Sequence, residues 1–388
     1  MTAPSSSTWS TQKIKITIIG GGIFGNSAAN NLIKAHPSYE ITLISNRDYA
    51  LNVMASHRLV VDGFNSKQVT RPLSSIINNK VKIVVVQDIT NFDDKSTDII
   101  SMASNQQINI PHDILILATG SIWTNPILTN EFGANLGQMD QYVNEQMEQL
   151  KTAKKVVIAG LGFVGIELAG ELGHKFKKEL GTGQKKIICV HPSDSVLDEN
   201  YKHSIRSSIK DYLSEMNLTL MFHDVALFDE SDPNTVILRS SNTVIEDVDV
   251  FYNCTGPKPN LPPTTLQELD LSNRGFVKVK KTLQTLNYPN IFAIGDINNV
   301  PGKNMNYREE HIQVLKQNVH AVVTSNKSGF KDYEAKEKAL GISIGPKAGV
   351  GQAPVPVVGT IKVPDMLVVM YKSKTLYTDK LNSILGKI

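Results

Sequence analysis

The chain has 388 residues, enough for two or three domains with ample core, and its 41% hydrophobic and 20% charged content is ordinary for a globular protein. Its net charge of +3 comes from 40 basic and 37 acidic residues spread along the chain, which leaves no basic arm or block to argue for nucleic acid. No apolar run reaches the ~18 residues of a membrane span, and Cys189 and Cys254 each lie inside an apolar strand-like run, so both read as small core residues in a reducing compartment rather than as a disulfide or a metal pair.

Residues 1–12 are rich in Ser and Thr and carry no apolar core segment, so a disordered tail is expected there, with a mitochondrial presequence as the less favoured alternative. The stretch Lys13 to Ile19 then reads as a buried strand that runs into Gly20, Gly21 and Gly22, with a helix starting near Ile23 and Phe24 and a third glycine of the GxGxxG pattern at Gly25. In such a turn the first glycine permits the tight bend, the second lets a pyrophosphate approach the backbone and the third lets helix and strand pack closely; a dinucleotide is expected there. A second strand, Ile41 to Ile44, ends at Ser45 where a ribose-binding acid normally stands, with Arg47 nearby to cover an adenine or a phosphate. Asn52 to Val61 reads as helical and carries His57 and Arg58, for which a solvated helix face and a site role stand equal. Strand Val81 to Val86 and a small meander from Ile89 to Ile110 follow, and then a long buried strand ends in Ala118-Thr119-Gly120.

After a linker and an amphipathic helix with Tyr142, Val143, Met147 and Leu150 at core spacing, the pattern starts again: an apolar strand, Val156 to Ala159, runs into Gly160, Gly162 and Gly165. The helix from Phe163 to Lys178 carries Glu167 and Glu171 one turn apart, where acids near a helix start favour the dipole even without a function. Strand Ile187 to Val190 ends at His191, which offers neither the carboxylate that would select NADH nor a guanidinium for NADPH; with no arginine directly after it, NADH is favoured. A second meander spans 225 to 247, and the strand from Val248 ends in Thr255-Gly256. This repetition implies two similar folds in series and two bound nucleotides. The chain then reaches Asn290 to Asp296, where an apolar strand ends in Gly295-Asp296; Asp296 either caps the next helix or offers a carboxylate beside helix N–H donors. Its position after both units is the one expected if the chain returns to complete the first domain.

Taken together these motifs resemble the two-dinucleotide-binding-domain flavoproteins of the pyridine nucleotide-disulfide oxidoreductase superfamily. Within them, the set is most similar to the apoptosis-inducing-factor-like branch that includes ferroptosis suppressor protein and is related to type II NADH dehydrogenases. The resemblance covers most of the chain, including the runs Gly345 to Gln352 and Pro356 to Thr360. It implies an α/β fold of two Rossmann-like domains in the glutathione-reductase-like FAD/NAD(P) arrangement: 13–125 and 258–338 for FAD, 126–257 for NAD(P)H, and 339–388 as a small C-terminal interface region. By the same resemblance Gly20, Gly22 and Gly25 hold the FAD pyrophosphate, Arg58 adds a charged contact, Ile89 offers its backbone to the adenine and Asp296 holds the ribityl chain or phosphate. Gly160, Gly162 and Gly165 take NADH or NADPH, and Glu167 lies towards the nicotinamide.

The implied reaction is hydride transfer from NAD(P)H to the flavin and onward electron transfer. The absence of a CxxC removes thiol relay to a disulfide substrate, and the resemblance points to a quinone acceptor. The alternative class is an NADH-responsive flavoprotein sensor or interaction module. The Pro-rich run from Val355 to Leu367 is expected to pack in the core, with a quinone channel or a peripheral bilayer contact as the other readings. The expected location is cytoplasmic, with a membrane surface or mitochondria as the alternatives.

Overall fold

The computed structural model describes residues 13–62, 64–123, 132–229 and 231–388. The expected tail at 1–12 and the start of the linker after residue 123 lie outside them.

Strand Lys15–Ile19 is buried from Ile16 to Ile19 because it is covered on both sides. It pairs in parallel with Glu40–Ser45 and with Ile114–Leu117, and Ile19 stands level with both Ile44 and Leu117. The full sheet has seven strands, in the order Ile291–Ala293, Ile114–Leu117, Lys15–Ile19, Glu40–Ser45, Lys82–Phe92, Ser96–Ser101, Gln107–Pro111. The first five run parallel and the last two pair antiparallel. Lys82–Phe92 serves both as a parallel strand and as the first leg of the meander, and two register shifts, at Val86/Asp88 and Ile89/Asn91, let it bend between the two roles. Ile291–Ala293 arrives from far along the chain to pair with Ile114–Leu117, as expected of a chain returning to its first sheet.

The second sheet repeats the plan with four parallel strands, Thr219–Met221, Lys186–Val190, Lys155–Ala159 and Val250–Asn253. Here Ala159 stands level with Val190 and Asn253. Helix Leu136–Thr152 precedes it, capped by Asn135 and burying Tyr142, Val143 and Leu150 as the spacing predicts. Helix Phe163–Lys175 ends three residues sooner than expected: Phe176 leaves helical geometry to bury its ring, and a separate short helix, Lys177–Gly181, takes over.

The C-terminal region is a three-stranded antiparallel sheet, Leu340–Ser343, Gly349–Val355 and Gly359–Val363, followed by the short helix Asp365–Val368 and a π-turn over Val369–Ser373. It is not a separate lobe, since Leu59, Val60, Ile166, Ala169, Ile342 and Leu376 share one apolar core. The end of the chain is stitched to the first sheet's helices: Asn30 Nδ2 donates to the Gly386 carbonyl at 2.8 Å, and Arg308 Nη1 donates to the Ser383 and Ile384 carbonyls at 2.9 and 2.7 Å.

Candidate functional site

Both glycine turns are built on the same contacts. At Gly20 the backbone φ is +118°, and a Cβ there would strike the Ala118 carbonyl; at Gly160 φ is +95°, and a Cβ would meet the Cys254 carbonyl oxygen at 2.7 Å. Gly25 and Gly165 face the carbonyls of Gly20 and Gly160 so closely that neither tolerates a side chain. Gly22 and Gly162 are different: nothing stands within 4 Å of their missing Cβ, so each leaves open space in front of a helix N-terminus. Gly21 is needed for another reason, because a Cβ there would meet the Ser45 hydroxyl at 2.6 Å.

The first turn opens into a cleft of about 1600 Å³. Gly20, Gly21, Gly22, Ile23 and Phe24 line one wall, and Ala118, Thr119 and Gly120 lie beside them at the end of the neighbouring strand. Ser45, Arg47 and Ile89 line the next stretch of the cleft. The Ser45 hydroxyl accepts the Arg47 N–H at 3.1 Å, and the Arg47 guanidinium lies about 6 Å from the Tyr49 and Phe132 rings, 5.9 and 5.8 Å to their centroids. Gly295 and Asp296 complete this part. Asp296 sits inside a 3₁₀ turn, Gly295–Ile297, and caps no helix. Burial raises its carboxyl above the usual range, against the pull of Lys303 and a 3.4 Å hydrogen bond from the Ser121 hydroxyl.

Further along the same cleft stands Glu167. It falls beyond the first turn of its helix, so the dipole reading does not apply; it is buried, its Oε1 takes the Lys372 ammonium at 2.6 Å and the Ser343 N–H at 3.2 Å. Burial alone would raise its carboxyl, but Lys372 and the nearby His57 hold it below the usual range. His57 also lines the cleft, and burial drives its imidazole down to about 4.

Two expectations are corrected here. Arg58 does not line the cleft and faces no solvent. It is 1% exposed and forks onto Glu171 with bonds of 2.9 and 2.5 Å, while its remaining donors reach the Ser373 and Lys374 carbonyls. A guanidinium at this depth needs all of those partners, and they come from the second unit's helix and the C-terminal region, not from a nucleotide. The run from Val355 to Leu367 does not pack in the core either. Val357 and Val358, at the tip of its hairpin, are 108% and 70% exposed, with Met366, Leu367, Met370 and Tyr371 exposed beyond it. Pro354, Val363, Leu367, Met370 and Tyr371 at the same time border the cleft.

The second turn does not open into this cleft. Gly160, Gly162, Gly165, His191 and Gly256 do not line it; their unit contributes Gly133, Ala134, Phe163, Val164 and Glu167 to the lining. His191 stands at the end of its strand as expected, but its Nδ1 accepts the Leu161 N–H at 3.0 Å, so the ring helps shape the turn itself. Both cysteines are buried and free, as expected; burial pushes the Cys254 thiol up to about 12 and raises Cys189 as well.

Sequence reasoning missed Lys372 and His311. The latter accepts the Gly295 N–H at Nδ1 (3.3 Å), faces the Gly302 carbonyl through Nε2 (3.3 Å) and so fixes the Gly-Asp turn from behind. Neither belongs to a motif; Lys372 lies 205 residues from its partner.

Comparison with known proteins agrees with this architecture. A family described as pyridine nucleotide-disulphide oxidoreductase matches residues 14–324. Apoptosis-inducing factor 1 of Saccharomyces cerevisiae is 32% identical over 382 residues, covering 96% of this chain and 98% of that protein. Ferroptosis suppressor protein 1 of Taeniopygia guttata is 25% identical over 374 residues, covering 95% and 94%. Among solved structures, the NDH2 of Plasmodium falciparum in complex with NADH superposes with a TM-score of 0.70 at 16% identity, covering 97% of this chain and 99% of that one.

Proposed function

Because the chain belongs to the pyridine nucleotide-disulphide oxidoreductase family, whose cofactors are FAD and a nicotinamide dinucleotide, we propose that it is an NAD(P)H oxidoreductase that passes electrons to a quinone. The residues present fit the flavin nucleotide: the open space before Gly22 suits a pyrophosphate, and the desolvated Asp296 carboxyl is poised to meet hydroxyl donors. The open space before Gly162 suits the second dinucleotide in the same way. Flavin bound in this cleft supplies the two-electron chemistry, taking a hydride from the nicotinamide and giving electrons to the acceptor.

The chain's own part is to seat, orient and seal. Gly20, Gly21, Gly22 and Gly25 shape the first seat, with Arg47 and Ile89 towards the adenine end; Gly160, Gly162 and Gly165 shape the second. Glu167 presents a fixed carboxylate where the two seats converge, which suits it to orient a nicotinamide carboxamide. Lys372 keeps a positive charge beside it, and such a fixed charge in a dry cleft favours negative charge arriving on a neighbouring ring.

The observation that carries the quinone reading is the continuity of this one cleft from the Gly20 turn, past Glu167 and Lys372, to an apolar mouth at Pro354, Leu367, Met370 and Tyr371. A flat apolar ring with a long tail suits such a mouth better than a charged or disulfide substrate does. The exposed valines of the hairpin tip adjoin it, and exposed Lys374 and Lys380, the latter 4.7 Å from the Tyr371 ring centroid, suit anionic headgroups. We therefore infer that the mouth rests on a bilayer, which the protein would meet peripherally, since among the described residues no helix is long and apolar enough to cross one.

The test is anaerobic reduction of the purified flavoprotein by NADH, then mixing with a short-chain ubiquinone analogue. Sustained turnover faster than with oxygen is expected. Flavin that reduces readily yet stays reduced in excess quinone would replace this reading with the redox sensor. Anionic vesicles should co-sediment the protein, and Val357→Asp with Val358→Asp should release it without reducing turnover of the soluble analogue.

A further inference from the structure

The second glycine turn packs against the loop that follows strand Val250–Asn253, and one cation outside every motif lies against that loop. Strand Val250–Asn253 ends at Cys254-Thr255-Gly256 directly against the Gly160 turn: a side chain at Gly160 would strike the Cys254 carbonyl, and the Cys254 Cβ packs 3.3 Å from the missing Cβ of Gly165. Gly256 has φ +118°, is exposed, and has a single neighbour within 4 Å of its missing Cβ, the Arg274 Nη2 at 3.4 Å. The guanidinium thus lies along the bare backbone that borders the turn.

Arg274 is held there by a small hairpin. The Gly275 N–H donates to the Ser272 carbonyl at 2.8 Å and the Ser272 N–H to the Phe276 carbonyl at 2.8 Å, closing a turn with Gly275 at φ +81°. Gly275 packs on Pro259, and the hairpin's return leg is tied to the flavin side, where the Val277 N–H donates to the Ile297 carbonyl at 3.0 Å. Under the guanidinium is the Phe276 ring, 5.6 Å from Arg274 and 3.5 Å from the Lys303 ammonium, so two cations share one aromatic shelf between the Gly256 edge and the Gly295-Asp296 turn. Lys303 is already engaged, donating to the Asn298 carbonyl at 2.9 Å and facing Asp296. Arg274 has no ion-pair partner among the described residues, and it is exposed. Uncompensated and stacked over the Phe276 ring beside the bare Gly256 backbone, the guanidinium presents a fork that matches a phosphate.

We propose that Arg274 is a binding residue for the nicotinamide dinucleotide, forking onto a phosphate of its pyrophosphate as it crosses from the Gly160 turn over Gly256 towards Glu167. This rests on the reading of the Gly160 turn as the nicotinamide dinucleotide seat and adds a contact made by no glycine motif. It also accounts for the bareness of Gly256, since a side chain there would stand in the way of both the guanidinium and the ligand.

The experiment is calorimetric titration of the flavin-loaded protein with NAD⁺ and with ADP-ribose, at low and high salt, for wild type, Arg274→Gln and Arg274→Lys. Arg274→Gln should weaken ADP-ribose about tenfold and flatten the salt dependence, because a charge-assisted pair is lost. Arg274→Lys should recover part of the affinity, since it keeps the charge without the fork. Flavin content and spectrum should stay unchanged, and in turnover the KM for NADH should rise with kcat held. Binding of ADP-ribose by Arg274→Gln as tight as wild type would overturn the proposal, as would a loss of affinity that tracks loss of flavin. A wild type that binds neither NAD⁺ nor ADP-ribose would sink the seat assignment with it, whereas a wild type that binds both but reduces no quinone would leave this proposal standing and remove only the quinone reading.

Discussion

Glu167 and Lys372 are the residues at which charge and position can be separated. Glu167→Gln keeps the shape of the side chain and the bond from the Ser343 N–H, but leaves the Lys372 ammonium without its counter-charge in a half-buried place. Stopped-flow reduction by NADH should slow by about tenfold or more, the scale of one lost charge-assisted contact, with flavin content unchanged. The cysteines give the contrasting case. Cys254 fills the position in the second unit that Ala118 fills in the first, packed on its turn glycines, and its thiol is raised to about 12, so no thiolate is at hand near neutral pH. Changing Cys189 and Cys254 together to Ser should leave quinone turnover within severalfold of wild type, at a cost of about 1–3 kcal/mol for burying two hydroxyls. Complete loss of turnover in a folded, flavin-loaded variant would show a cysteine in the chemistry.

The two glycine turns were legible because each glycine answers a local clash that every copy of this element has. Strand, turn and helix lie within a dozen residues of one another, and the strands are mostly apolar after their first lysine because parallel strands are covered on both faces. The Glu171–Arg58 pair spans 113 residues and could not be read that way. Nothing in the segment around Arg58 separates a guanidinium on a solvated helix from one that clasps a second domain's helix. The apolar run at Val355 to Leu367 failed for the opposite reason: composition marks it as apolar, and only the geometry of a hairpin tip says that the valines point outward. The matched turns allow a paired test. Gly25→Ala should lose flavin and cost about 1–3 kcal/mol, since the new methyl meets the Gly20 carbonyl. Gly165→Ala should keep flavin and weaken NADH binding. Equal loss of flavin in both would show that the two seats are not independent.

For the whole molecule, the buried histidines set the response to acid. Burial drives both His57 and His311 from 6.5 down to about 4, so each stays neutral in the folded chain while its unfolded counterpart takes up a proton. Stability is therefore full above about pH 6.5 and falls as pH drops towards 4, by up to about 1.4 kcal/mol per pH unit for each histidine, levelling off below that. Glu167, whose carboxyl is held below the usual range, adds its loss only at more acid pH. Denaturant midpoints measured from pH 7 to 4 should decline steadily, and His311→Gln should reduce the slope. A flat profile across that window would show that neither imidazole is held neutral in the folded protein.

The stitching of residues 383–386 to Asn30 and Arg308 gives that segment a bearing on cofactor retention. Asn30 belongs to the helix that begins at the first glycine turn; its amide also donates to the Ile76 carbonyl at 2.9 Å and accepts the Asn78 N–H at 2.8 Å, which holds the same helix to the short helix Leu73–Ile76 and the turn after it. Deleting residues 383–388 would thus loosen the flavin seat from its far end. Such a deletion variant would shed its yellow colour before it lost its secondary structure.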